Sequence, residues 1–235
     1  MLTKNNLHNL FGKLSKPNQH LVRLVQSMAT SLKKFIQEIA GKKAPGPSTT
    51  FTVFHVFYAL ELMAQKPLGR NKLAKKLNVG DGAVRTIISR LRNAGLIETS
   101  KEGCGLTEKG LDVWGQFEQV FPKRIEIPKN ELIESEFNFA FLVKNSGEKV
   151  RSGIDQRDAA IIAGARKALV IVFRDGHLRI ESVSNSVEKD YPKAASEILK
   201  ELTPEDNDTI VIAGADSALR AKRGAFAASW SLISA

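Results

Sequence analysis

Cysteine is almost missing from this sequence: Cys104 is the only one among 235 residues. A disulfide framework and a thiolate-rich zinc site are therefore excluded, and a reducing compartment fits. Histidine is equally sparse. His8, His20, His55 and His177 stand apart, with no H-x-x-x-H or C-x-x-C spacing, so no metal site is expected. His55 falls in an apolar segment and reads as a core residue. No apolar run approaches the roughly 18 residues of a membrane span. The best stretch, 51–64, is interrupted by Thr52, His55, Tyr58 and Glu61. Lys, Asn and His break up the first 30 residues, so no secretory leader is expected and the location reads as cytoplasmic. Catalytic signatures are scarce too. Gly41-x-x-x-x-Gly46 continues as Pro47-Ser48, where a phosphate loop needs Lys-Ser/Thr. Gly80-x-Gly82-x-x-Arg85 lacks the third glycine and the preceding strand of a dinucleotide fingerprint. Neither a cofactor nor an enzymatic activity is expected.

Acidic residues are also in short supply. There are 25 Asp and Glu against 35 Lys and Arg, a net charge of +10. The imbalance lies entirely in the first half. Residues 1–46 carry 8 basic and 1 acidic side chains, 47–122 carry 10 and 7, and 123–235 carry 17 of each. Within 70–92, seven basic residues face Asp81 alone. A basic half joined to a neutral one points to a polyanionic partner for the first half and a separate task for the second.

Two breaks divide the chain. Gly41-Lys-Lys-Ala-Pro-Gly-Pro-Ser-Thr has the composition of a linker, and a helical pattern stops at Pro122. The expected segments are an arm with its linker (1–47), a central domain (48–122) and a C-terminal domain (123–235). In the arm, Leu21, Leu24, Val25, Met28, Leu32, Phe35, Ile36 and Ile39 form one helical stripe. Such a basic amphipathic helix packs on its own domain, pairs with a second subunit, rests on an anionic surface, or stays an extension.

The central domain carries the most specific pattern. Phe51, Phe54, Phe57, Leu60 and Met63 make a strongly apolar first helix, with Thr49 or Thr50 as the expected cap. A second short helix over 70–77 puts Leu73, Ala74 and Leu77 on one face and Lys72, Lys75 and Lys76 on the other. Asn78-Val79-Gly80 reads as a tight turn with Gly80 left-handed, and Asp81 as the cap of a third helix, 82–93. In that helix Val84, Ile87, Ile88 and Leu91 point inward, while Gly82, Arg85, Thr86, Ser89 and Arg92 point outward. Two short helices joined this way are a helix-turn-helix, whose second helix enters the major groove. A strand at 96–99, a turn over 100–105 and a returning strand end at 106–107 follow. A closing helix with Leu111, Trp114, Phe117 and Phe121 inward completes winged-helix order.

Side-chain chemistry assigns the roles. Arg85 can donate two hydrogen bonds to guanine, and Thr86 and Ser89 can contact bases or phosphates, with Gly82 on the same outward face. Arg70, Lys72, Lys75, Lys76, Arg90 and Arg92 suit backbone phosphates, and Lys101 sits at the wing tip. Residues 123–235 alternate strand and helix signals, as a small mixed sheet covered by helices would. Arg157 and Asp158, with Arg220 and Arg223 near the last helix, are candidate ligands for a small anionic effector. The fold class is thus α+β overall: a winged helix-turn-helix domain, then a small mixed α+β domain, with an N-terminal helical arm.

The run GRNKLAKKLNVGDGAVRTIISRLRNAGLIETSKEGCGLTEKG, from Gly69 to Gly110, resembles the winged-helix domain of bacterial and archaeal transcription regulators. It is most similar to the DNA-binding domain of the central glycolytic genes regulator. Over about 48–235 the chain resembles an archaeal family of two-domain winged-helix regulators whose C-terminal α+β domain has no established ligand. The resemblance implies a transcriptional regulator acting on double-stranded DNA. A homodimer and a small-molecule effector are the expected further partners. An RNA-associated protein, and an enzyme with its site in the C-terminal half, are the alternatives.

Overall fold

The computed structural model describes residues 19–41 and 50–233. The first 18 residues, and the Pro/Gly linker from 42 to 49, lie outside them. The arm forms helix α1 (Gln19–Ala40). Ala29, Leu32, Ile36, Ile39 and Ala40 are buried at helical spacing, against the first and last helices of the central domain. The arm therefore packs on its own chain. The Lys33 ammonium also donates at 2.6 Å to the carbonyl of Ile233, just past the C-terminal helix.

Helix α2 (Val53–Gln65) begins later than expected, with Thr52 rather than Thr49 or Thr50 as its cap. The reason is His55, three residues on. Its Nδ1 accepts the Thr52 backbone N–H at 2.9 Å, as a Glu or Gln does in a capping box. Helices α3 (Arg70–Leu77) and α4 (Asp81–Asn93) follow. The turn between them corrects two expectations. The left-handed residue is Asn78 (φ 53°), not Gly80, because Asn tolerates this region and closes α3 through bonds to Ala74 and Lys75. Gly80 is extended and caps α4, so Asp81 is the first helical residue and its carboxylate is left for ion pairs.

Strands β1 (Ile97–Ser100) and β2 (Gly103–Leu106) pair antiparallel around a turn tipped by Lys101 and Glu102, tighter than the sequence indicates. Leu68 adds a bridge to Cys104. Gly103 (φ +129°) permits this, since a Cβ there would lie 2.5 Å from the Leu68 carbonyl carbon. Helix α5 (Glu108–Val120) closes the domain, capped by Thr107. Val113, Trp114, Phe117 and Val120 face inward, and Leu111 is exposed. Leu111 was expected inward. It lies roughly 120° around the helix from the centre of that stripe.

The C-terminal domain is a five-stranded sheet in the order β3-β4-β7-β5-β6, formed by β3 (Lys123–Ile127), β4 (Phe137–Val143), β5 (Lys167–Arg174), β6 (His177–Arg179) and β7 (Thr209–Ala215). Every pairing is antiparallel, where a mixed sheet was expected. Four helices complete it: α6 (Ile154–Ile162), α7 (Val187–Asp190), α8 (Pro192–Leu202) and α9 (Ala218–Ser231). Ala140, Leu142, Ile171, Ile210 and Ile212 meet α7 and α8 on one face. Phe139, Phe141, Val170, Val172 and Val211 belong to the other, beneath α6 and α9.

That second face merges with the core of the central domain. Phe57 of α2 stacks on Phe226 of α9 at 4.5 Å between ring centroids, and meets Phe117, Phe121 and Phe141 at 5.1, 6.4 and 6.1 Å. Beside the stack, the buried Glu61 accepts from Arg124 Nε of β3 at 3.1 Å and pairs with the Lys222 ammonium of α9. Arg124 lies over the Trp114 ring at 4.9 Å. Lys222 lies over Tyr58 at 4.5 Å and Phe139 at 5.0 Å. Burial pulls Lys222 below its ordinary pKa, against the opposing pull of Glu61.

Two predictions follow from this junction. Glu61→Ala strands two buried cations and should lower the unfolding free energy by about 3–5 kcal/mol in a denaturant titration. Pairing Glu61→Leu with Lys222→Met should cost less than the two single changes combined. The second concerns acid. Burial, and secondarily Arg223, hold the His55 imidazole down at about 4 from 6.5. The unfolded chain therefore takes up the proton first. Stability is fully present above 6.5 and falls as pH drops toward 4, by about 3 kcal/mol at most. His55→Gln, which keeps a capping acceptor at that position, should flatten the change between those two pH values.

Candidate nucleic-acid interface

Alternation of buried and exposed positions along α4 creates the site. Ala83, Val84, Ile87 and Leu91 are buried. Gly82, Arg85, Ser89 and Arg92 are exposed on the opposite side, with Thr86 half-buried between. Nothing lies within 4 Å of where a Gly82 side chain would begin, so this face is open. On α3, Leu73 and Leu77 hold the helix to the core while Arg70, Lys72, Lys75 and Lys76 stay in solvent. Lys101 is exposed at the hairpin tip. Ten of the eleven interface candidates therefore lie on α3, the outer side of α4 and the hairpin tip.

Within this surface the charges are loosely tethered. Asp81 bridges the Arg85 guanidinium at 2.6 Å and Arg70 at 3.3 Å. All three side chains are about half exposed, so these pairs contribute little and yield readily to a stronger anion. The Thr86 hydroxyl donates to the Gly82 carbonyl at 2.9 Å. Arg92 stands in the last turn of α4, where a cation suits the helix dipole.

Arg90 is the exception. Its Nη1 donates to the carbonyls of Ile39 (2.9 Å) and Gly41 (2.5 Å), and its guanidinium lies 5.1 Å from the Phe51 ring centroid. It closes the C-terminus of α1, so the phosphate role expected for it gives way to a structural one. Lys109 does the same for α4, donating to the Ala94 carbonyl at 2.8 Å.

Each of the four candidate effector ligands already has a partner within the chain. Arg157 and Asp158 pair with each other at 3.3 Å and line an open cleft with Arg166 and Lys167. Arg220 is turned to Asp216 at 2.9 Å, which it shares with Arg166. Desolvation raises the Asp216 carboxyl, but Arg220 and then Arg166 together outweigh it and hold the group below its usual range. Arg223 Nε donates to the Ala163 carbonyl at the end of α6, so its charge serves the packing of α6 on α9. The residues that join the two halves, Glu61, Arg124 and Lys222, were not among the sequence candidates. The one sequence signal for them was a carboxylate in the middle of an otherwise apolar helix. Among the described residues, no cluster of His, Cys, Asp or Glu could hold a metal ion, and no helix is long and apolar enough to cross a membrane.

Comparison with known proteins gives two family matches. Residues 53–121 match the family described as the CggR N-terminal DNA binding domain. Residues 133–232 match a domain of unknown function, DUF4443. Among solved structures, the chain is similar to the hypothetical protein PH0730 from Pyrococcus horikoshii OT3. The TM-score is 0.63 and the identity 27%, over 77% of this chain and 92% of that one. No curated protein matches the chain. The two matches together give a two-domain, regulator-like architecture, with a segment matching the CggR N-terminal DNA-binding domain followed by one matching DUF4443.

Proposed function

We propose that this protein is a cytoplasmic transcriptional regulator that binds double-stranded DNA through α3, α4 and the hairpin, while the C-terminal domain forms a dimer or senses an effector. The observation that carries this reading is the outer face of α4. It is polar, uncluttered and flanked by lysines, and it stands on a segment matching a family described as DNA-binding. Arg85, with Ser89 and Thr86, is suited to base edges in the major groove. Arg70, Lys72, Lys75, Lys76 and Arg92 neutralise phosphates along the groove walls, and Lys101 reaches the backbone beyond. On approach to DNA, phosphates compete with Asp81 for Arg70, and base edges compete with it for Arg85. Their weak tethering makes that exchange cheap.

Three substitutions separate these roles in fluorescence-anisotropy titrations on duplex DNA. Arg85→Ala should cost about 1–3 kcal/mol at the preferred site and relax its base preference. Lys75→Ala should weaken all sequences alike and reduce the slope of log affinity against log salt by about 1. Arg90→Ala should leave that slope alone and instead lower the unfolding free energy, by about 1–3 kcal/mol, through its orphaned carbonyls. Unchanged affinity in both Arg85→Ala and Lys75→Ala would refute the assigned face. Stronger binding to structured RNA than to duplex DNA would favour an RNA-associated protein.

A further inference from the structure

We propose that the outer face of α6 is a self-complementary docking surface for a second copy of this chain. The proposal rests on the dimeric part of the function above and is independent of DNA binding.

The inner side of this nine-residue helix is settled: Gln156 and Ala160 are buried beneath α9 and the sheet. The outer side carries apolar residues that none of the described residues covers. Ile154 is 51% exposed, Ile161 42% and Ile162 87%. Ile154, Asp158 and Ile161 form one stripe at i, i+4 and i+7, with Arg157 on its flank. A surface helix of a soluble domain rarely spends three isoleucines on water.

Their spacing identifies the partner. The midpoint between positions 154 and 161 falls between 157 and 158. If a twofold axis passes over α6 there, an antiparallel second copy sets Ile154 against Ile161 of that copy, and gathers the Arg157 and Asp158 side chains of both copies, two cations and two anions, about the axis. Each contact is then made twice, as an isologous interface requires. Within one chain, Arg157 and Asp158 are adjacent residues whose side chains diverge by roughly 100° around the helix. Their contact is 3.3 Å and both are more than half exposed, so both charges are available for re-pairing. Beside Ile161 the surface dips into the cleft floored by Leu132, Ala168 and Leu169, which extends the apolar contact.

Charge favours the same pairing. The C-terminal half is neutral, with 17 residues of each sign, so two copies approach there without net repulsion. The basic N-terminal halves are best kept apart and free for a polyanion.

Sedimentation equilibrium of the full chain without DNA, at micromolar concentrations, tests the proposal. The expected result is a dimer in the unsubstituted protein and a monomer in Ile161→Glu. Arg157→Asp leaves only carboxylates about the axis, and Asp158→Arg leaves only cations there. Each should weaken the dimer about tenfold or more. The double reversal Arg157→Asp/Asp158→Arg restores opposite charges and should bring dimerisation back to within about threefold of the parent. Circular dichroism should be unchanged throughout, because all these side chains are exposed. A monomeric parent would overturn the proposal. So would a dimer indifferent to Ile161→Glu and to both single reversals, or a double reversal no better than the singles. Affinity for a short duplex, measured on the same variants, keeps the two readings apart. Lost dimerisation with retained duplex binding leaves the DNA-binding reading standing. An intact, α6-dependent dimer that ignores DNA does the opposite.

Discussion

Glu61 reaches from the first helix of the central domain into a space lined by aromatic rings, and there it meets Arg124 from β3 and Lys222 from α9. Three charges are thus taken out of water at the seam between the halves. Such a cluster is a poor source of stability, because desolvation consumes most of the Coulomb attraction. It is a strict judge of geometry, since any arrangement that separates the partners strands a buried charge. The stability comes from the neighbouring stack, in which Phe57 and Phe226 share a core with Phe117, Phe121, Phe141 and Trp230. The stack supplies energy and the carboxylate supplies register. Together they set the C-terminal domain against α2 and leave α3, α4 and the hairpin tip facing solvent.

Much of this surface was legible in the sequence, because it depends on local periodicity. The inward residues Val84, Ile87 and Leu91 and the outward Arg85, Ser89 and Arg92 follow from the helical repeat alone. So do the lysine face of α3 and the closing helix. What escaped depends on contacts between distant segments. Arg90 looks like its neighbour Arg92, and only the arrival of the α1 C-terminus makes it a cap. Strand β3 was missed because Lys123-Arg-Ile-Glu-Ile carries three charges in five residues. One of those charges, Arg124, is buried on account of Glu61, far away in the chain. The antiparallel sheet was hidden for a similar reason. Alternating strand and helix signals do not fix strand direction, and β7 enters between β4 and β5 from late in the sequence.

The two halves divide their electrostatics as they divide their packing. On the central domain the cations other than Arg90 are exposed, and the Asp81 pairs with Arg70 and Arg85 are half in solvent. On the C-terminal half the candidate cations are largely engaged. Arg220 and Arg166 share Asp216, and Arg223 closes a helix. The C-terminal half is neutral overall, so the net positive charge open to an anion lies in the first half, on α3, α4 and the hairpin among its exposed surfaces.

The most direct test of that arrangement is amide hydrogen exchange of the full chain with and without saturating duplex DNA. The account predicts slowed exchange in residues 81–93 and at the hairpin 97–106, with the buried helices 53–65 and 218–231 unchanged. Protection confined to residues 123–233, or unaltered exchange in 81–93 when DNA is bound, would contradict it.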